Sequence, residues 1–174
     1  IADIFQARGE LDKALEIRQQ EELPVYERLG DVRSKAVTMG KIADIFQDRG
    51  ELDKALDIRQ QEQLPVYERL GDVREKAVTM GKIADIFQDR GELDKALKIR
   101  QAEHPIYEQL GDVHSLLIGR VELALLLHEM DTEANKEKIK KLLRLALADA
   151  QRLKLPRETE WIENIMKKFH IKAQ

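Results

Sequence analysis

The sequence predicts an all-α solenoid of antiparallel helix hairpins. Three observations carry that prediction. Residues 1–41 and 42–82 are the same sequence except at Ala7/Asp48, Glu16/Asp57, Glu22/Gln63 and Ser34/Glu75, and a third copy opens at Ile83 and stays close through Gln101. A fixed period of this size marks stacked supersecondary units, each packed on its neighbours along an extended surface. Within a copy, apolar residues recur at helical steps. Gly-Asp and Gly-Glu pairs then break each copy into two helices.

The elements follow in order. Gly30 suits the left-handed residue after a helix. Asp31 suits the N-cap that follows, because its carboxylate can accept from free backbone N–H groups. Asp72 repeats the pattern, with Glu75 three residues on as in a capping box. The first helix of the unit carries Val32, Ala36, Met39, Ala43 and Phe46 at 4-3-4-3 steps, with Ile42 and Ile45 widening the stripe. Gly50 marks the next turn. The second helix starts near Leu52 and carries Leu52, Ala55, Leu56 and Ile58, then Val66, Tyr67 and Leu70. Helix, short turn, helix, short turn is a hairpin repeated in tandem.

Pro24 and Pro65 fall inside the second helix, where proline removes a hydrogen bond and crowds the preceding turn. The third copy has one residue fewer here. Ile99 to Ile106 is seven residues, which keeps the stripe in phase, whereas Ile58 to Val66 is eight. Eight residues at about 100° each would rotate the stripe by about 80°. Copies one and two are therefore predicted to absorb the extra residue, Leu23 or Leu64, as a π-bulge or kink just before the proline. The third copy should show only a proline kink. Arg59 and Glu62, with Arg18/Glu21 and Arg100/Glu103, are spaced to pair at i,i+3 as partly exposed structural pairs, with a buried specificity element as the alternative.

The last part of the chain diverges. Residues 113–127 form a helix that is apolar almost all round, which reads as buried. Residues 133–154 form an amphipathic helix with Ile139, Leu142, Leu143, Leu145, Ala146 and Leu153 on its apolar side, ended by Pro156. A final helix carries Trp161, Ile162, Ile165, Met166 and Phe169 on one face, with Lys167 and Lys168 opposite. A polar outer face over a stacked core reads as a cap; an amphipathic docking or membrane-surface helix is the alternative. The expected organisation is tandem repeats over 1–130 and a divergent last repeat helix with a capping helix over 131–174, all in one solenoid. Residues 1–5 read as the second half of a first helix, which points to a fragment of a longer protein. The apolar face there should be under-covered and open to end-to-end self-association.

Composition excludes several function classes. The apolar fraction is 43% and the charged fraction 36%, which suits amphipathic helices and not a disordered chain. There is no cysteine, which removes disulfides and thiolate metal sites and fits a reducing, cytoplasmic setting. No apolar run is long enough for a membrane span. Residues 131–174 hold 11 Lys/Arg against 7 Asp/Glu, while the rest of the chain is acidic, unlike the concentrated basic face of a nucleic-acid binder. Ser34 and Ser115 are the only serines, and Ser115 beside His114 cannot face it on a helix, so no nucleophile–base arrangement is available. His104, His114, His128 and His170 lack metal-ligand spacing, and no phosphate loop or cofactor motif occurs.

The residues resemble tetratricopeptide-like (TPR-like) repeats. Arg-Gly-Glu-Leu-Asp-Lys-Ala-Leu at 8–15, 49–56 and 90–97 resembles that family's inter-helix turn. Ala43 and Ala84, Phe46 and Phe87, and Ala55 and Ala96 fall at its small, aromatic and crossing positions. The period of 41 is similar to the long-period subclass found in bacterial multidomain signalling or defence proteins. Arg59 and Glu62 depart from the family pattern, and Met39 and Met80 stand at its usual Trp position. The resemblance implies a right-handed superhelix that binds a peptide or partner helix along its concave face, without enzymatic activity or cofactor. It places Asp3, Gln6, Val37, Lys41, Asp44, Gln47, Asp48, Val78, Lys82, Asp85, Gln88 and Asp89 on that face, with the aspartates as a possible ladder for donors on a partner. Ala7, Gly40 and Gly81 fall on it too, the glycines more for close helix packing than for ligand approach. Charge reversal at Asp44 and Asp85 is then expected to weaken partner binding while leaving helicity intact. A spacer or self-association element is the alternative role.

Overall fold

The computed structural model describes residues 1–172. They form α1 (Ala2–Ala7), α2 (Leu11–Ile17), a π-helical segment π1 (Arg18–Glu22), α3 (Leu23–Leu29), α4 (Val32–Asp48), α5 (Leu52–Asp57), a second π-helical segment π2 (Ile58–Gln63), α6 (Leu64–Leu70), α7 (Val73–Asp89), α8 (Leu93–Leu110), α9 (Val113–Arg152) and α10 (Pro156–Lys168). Two compact units result, Ile1–Arg90 and Gly91–Gln174.

In the first unit the local signals act as the sequence predicts. Gly30 and Gly71 end the second helices at φ 67° and 65°, a region that costs any residue with a Cβ. Asp31 and Asp72 then accept from the backbone N–H of Ser34 and Glu75 at 2.9 and 3.1 Å. α2, π1 and α3 run on as one second helix, as do α5, π2 and α6. The extra residue is absorbed where the count requires. The Leu23 and Leu64 amides donate to the carbonyls of Arg18 and Arg59, five residues back, immediately before Pro24 and Pro65. A wider turn accommodates one more residue and relieves the crowding by the proline ring.

The core of this unit is made of small and branched residues at close crossings. Ala43, Ala55, Ala77 and Ala84 are fully buried, with Ile45 and Ile86. The turn motif ties one hairpin to the next. Arg49 pairs with Asp12 of the preceding copy at 3.0 Å, and Arg90 repeats this with Asp53 at 2.8 Å. Lys13 and Lys54 lie over the rings of Phe5 and Phe46, 5.4 and 5.2 Å from the centroids.

The second unit carries the divergent sequence. α8 is continuously α-helical with Pro105 inside it, which agrees with the missing residue. α9 is broken at Asp131, whose extended backbone separates two helices and whose carboxylate caps the second through the Ala134 N–H at 3.0 Å. The two segments match the predicted buried and amphipathic helices. Leu117, Val121, Ala124, Leu127, Leu143, Ala146, Ile162 and Met166 belong to one core cluster. α10 packs on it through Ile162 and Met166, with Lys167 and Lys168 exposed. Leu145, Leu153 and Trp161, expected on apolar faces, are 42%, 39% and 37% exposed. The Ile162–Met166 seam lies about 100° round the helix from Trp161, which leaves the indole at its edge.

Candidate functional site

Within the first unit, the side chains expected on the inner face lie on α1, α4 and α7, and several bond to one another. Lys41 on α4 reaches Asp3 on α1 at 3.1 Å. Lys82 on α7 reaches Asp44 on α4 at 3.7 Å. The Gln47 amide donates to Asp89 at 2.7 Å. These contacts cross from one first helix to the next, so the three helices present one continuous polar face. Val37 is exposed on it; Gln6, Val78, Asp85 and Gln88 are half-buried, and Asp48 is exposed. Gly40 and Gly81 are buried beneath the face, not open on it. At Gly40 a Cβ would fall 2.2 Å from the Gln63 amide nitrogen, so this glycine admits a neighbouring side chain.

The arginines of the second helices do not form the partly exposed i,i+3 pairs that the spacing suggested. Arg18 and Arg59 are 1% and 2% exposed, while Glu21 and Glu62 are at the surface. Arg18 donates to Asp3 at 2.6 Å and to Glu22 at 3.2 Å. Arg59 donates to Asp44 at 2.5 Å and to Gln63 at 3.0 Å. The reason lies in the wide turn: the additional residue advances Glu22 and Gln63, at i+4, into the place that Glu21 and Glu62 would otherwise hold. Where the wide turn is missing, Arg100 does pair at i+3 with Glu103 at 3.1 Å, but both are buried, and Arg100 also meets Glu122 at 2.6 Å.

Asp3 and Asp44 are therefore counter-ions of buried guanidinium groups. The Arg18 hydrogen bond, and then that of Lys41, hold the Asp3 carboxyl below its ordinary value. Burial pulls Arg59 down, opposed by the charges of Asp44 and Asp85. Acids and bases alternate across the face, so it is not a row of unsatisfied carboxylates. The charge-reversal test is altered as well: Asp44→Lys would place a cation against buried Arg59 and disturb the fold. The sequence reasoning held burial of the arginines only as the lesser alternative and missed their pairing with the first helices, although an Arg fifteen residues after each of Asp3, Asp44 and Asp85 was present as a signal.

The second unit holds a buried polar cluster of its own. Glu103 and Arg100 lie between α8 and α9, and the His104 imidazole lies against Gly119. Burial pushes Tyr107 up to about 12, with Glu103 and Glu122 adding to the effect. Burial also holds His104 below the ordinary histidine value, reinforced by Arg120 and Arg100 and opposed by the Gly119 backbone and Glu108. A depressed histidine binds fewer protons folded than unfolded, so its contribution is complete above about pH 6.5 and is lost as pH falls below it. The thermal midpoint of unfolding is expected to drop on acidification from pH 7 to pH 5, and His104→Gln should flatten that slope. An unchanged slope would assign the acid sensitivity to other groups.

Among the described residues no group of His, Cys, Asp and Glu could hold a metal ion, and no helix is long and apolar enough to cross a membrane.

No protein-family model matches the sequence, and no curated protein does. Solved structures do match. A kinesin light chain-like protein of Podosopora anserina with nearly identical TPR-like repeats superposes with a TM-score of 0.67 at 13% identity, over 99% of this chain and 93% of that one. A single-substitution variant of that protein gives 0.68. BtubC (BKLC) from P. vanneervenii gives 0.68 at 16% identity, over 97% of this chain and 76% of that one. With the hairpins, caps and crossings described above, these likenesses identify the fold as a TPR-like repeat array, an all-α solenoid.

Proposed function

We propose that the face formed by α1, α4 and α7 in the first unit binds a peptide or helix of a protein partner, and that the chain acts as a non-enzymatic scaffold. Folds of this kind commonly serve as interaction scaffolds, which is support by analogy. One observation carries the reading further. The side chains of Asp3, Lys41, Asp44, Lys82, Gln47 and Asp89 form a ladder across three helices, with Val37 exposed within it. Such a surface favours a segment of alternating charge that can exchange these pairs one for one, not a purely basic one. Because Asp44 supports Arg59, the test uses residues that support no buried charge. Peptides selected from a random display library on the whole chain should lose binding to Val37→Asp with Asp48→Lys, while helicity is retained. Peptides that bind the variant as well as the parent would place recognition elsewhere.

A second reading, self-association through the N-terminal edge, rests on a different observation. Ile1 and Ile4 are 83% and 57% exposed, whereas their equivalents Ile42 and Ile45 are 2% and 0% exposed beneath the preceding hairpin. Light scattering should then report oligomers that Ile4→Lys disperses.

A further inference from the structure

The second unit contains a cavity of about 670 Å³ between the second segment of α9 and the residues that follow α10. We propose that it binds an organic phosphate, a molecule that joins a compact apolar body to a dianionic group.

The wall is built in two parts. At the end of α10, His170 takes φ 55°, a left-handed conformation that turns the chain, and the Ile171 amide closes the turn on the Met166 carbonyl at 2.8 Å. The Arg144 guanidinium then donates Nε and Nη2 to the Lys172 carbonyl at 3.2 and 3.0 Å. This clamp holds the returning segment against α9, so the cavity has two sides. Its apolar lining comes from Ile139, Ile171 and Phe169, whose ring stacks on His128 with centroids 3.8 Å apart.

The charge on the wall is strongly one-sided. Lys136, Lys140, Lys168 and Lys172 line the cavity with Arg144, against Glu133 and Glu137. The two glutamates lie 3.5 and 3.7 Å from Lys136 and Lys140, at the long end of ion pairing. With more cations than carboxylates on the wall, a dianionic group is better matched to it than a single carboxylate. A phosphate monoester carries close to two negative charges at about pH 7 and three acceptor oxygens. The volume lies in the range of small-molecule sites, which are typically about 300–1,000 Å³ with an apolar lining and a few polar groups.

Naphthyl phosphate is a suitable probe, measured by its own fluorescence against the whole chain. It should bind saturably. Naphthol, without the phosphate, and inorganic phosphate, without the ring, should each bind at least about tenfold more weakly. Lys136→Gln with Lys140→Gln, neither of them buried in the core, should weaken naphthyl phosphate by about tenfold and leave the circular dichroism spectrum unchanged. Failure of naphthyl phosphate to bind, or equal binding by the double variant, would overturn the proposal. So would binding of phosphatidic acid vesicles without binding of naphthyl phosphate, because the basic surface would then read a lipid headgroup in a membrane and not a ligand in the cavity.

Discussion

Asp44→Ala is expected to lower unfolding stability by about 2–4 kcal/mol, read from the urea midpoint of the whole chain. Arg59 is almost fully buried, and its Nη2 rests on Asp44 at 2.5 Å. Removing the carboxylate leaves a guanidinium in a poorly hydrated site, and the loss of one partner of a buried pair is far more costly than the loss of both. The figure is set below that for a fully buried pair because the Asp44 side chain is 36% exposed and water can compensate in part. The companion variant, Asp44→Ala with Arg59→Met, should recover most of the loss, since Met fills the same volume without a charge. Asp3→Ala is an internal control: Asp3 holds Arg18 in the same way but is 70% exposed, so its effect should be smaller. If Asp44→Ala and the double variant melt together, Arg59 does not depend on Asp44.

Gly40→Ala should also destabilise, by about 1–3 kcal/mol, against the usual helix preference for alanine. The new methyl would lie 2.2 Å from the Gln63 Nε2 atom, and Gln63 cannot simply swing away because its Oε1 accepts from Arg59 at 3.0 Å. The substitution therefore strains the packing or breaks the hydrogen bond to Arg59. In a Gln63→Ala background the obstruction is gone, and Gly40→Ala should become neutral or stabilising. The difference between the two backgrounds is a coupling energy that a double-mutant cycle measures directly. Equal effects in both backgrounds would show that the glycine is there for some other contact.

How much was legible follows from what each residue depends on. The caps at Asp31 and Asp72 and the left-handed Gly30 and Gly71 are set by neighbours in sequence, so spacing was enough to read them. The wide turn before Pro65 was legible from one residue of surplus between Ile58 and Val66. The role of Arg59 was not. It occupies a position in register with Ala55 and Leu56 on the buried stripe, and its charge argued for the surface. Only the facing Asp44, contributed by another helix, makes burial tolerable. The same holds for the polar face: the positions of Asp3, Lys41 and Asp44 could be counted along the chain, but their mutual pairing depends on how successive first helices meet. The cavity was less legible still, because it depends on a turn at His170 and a clamp from Arg144, twenty-six residues apart.

Gly30, Gly71 and Gly111 hold nearly the same dihedrals, φ 64–67° and ψ 19–20°, although the helix ending at Gly111 is one residue shorter than its counterparts. The surplus residue is taken up in mid-helix, and none of it reaches the connection. Hairpin length and corner geometry are thus independent variables in this polymer. Modules of 40 and 41 residues can be joined in any order by the same corner, and an insertion of one residue need not propagate beyond the module that receives it.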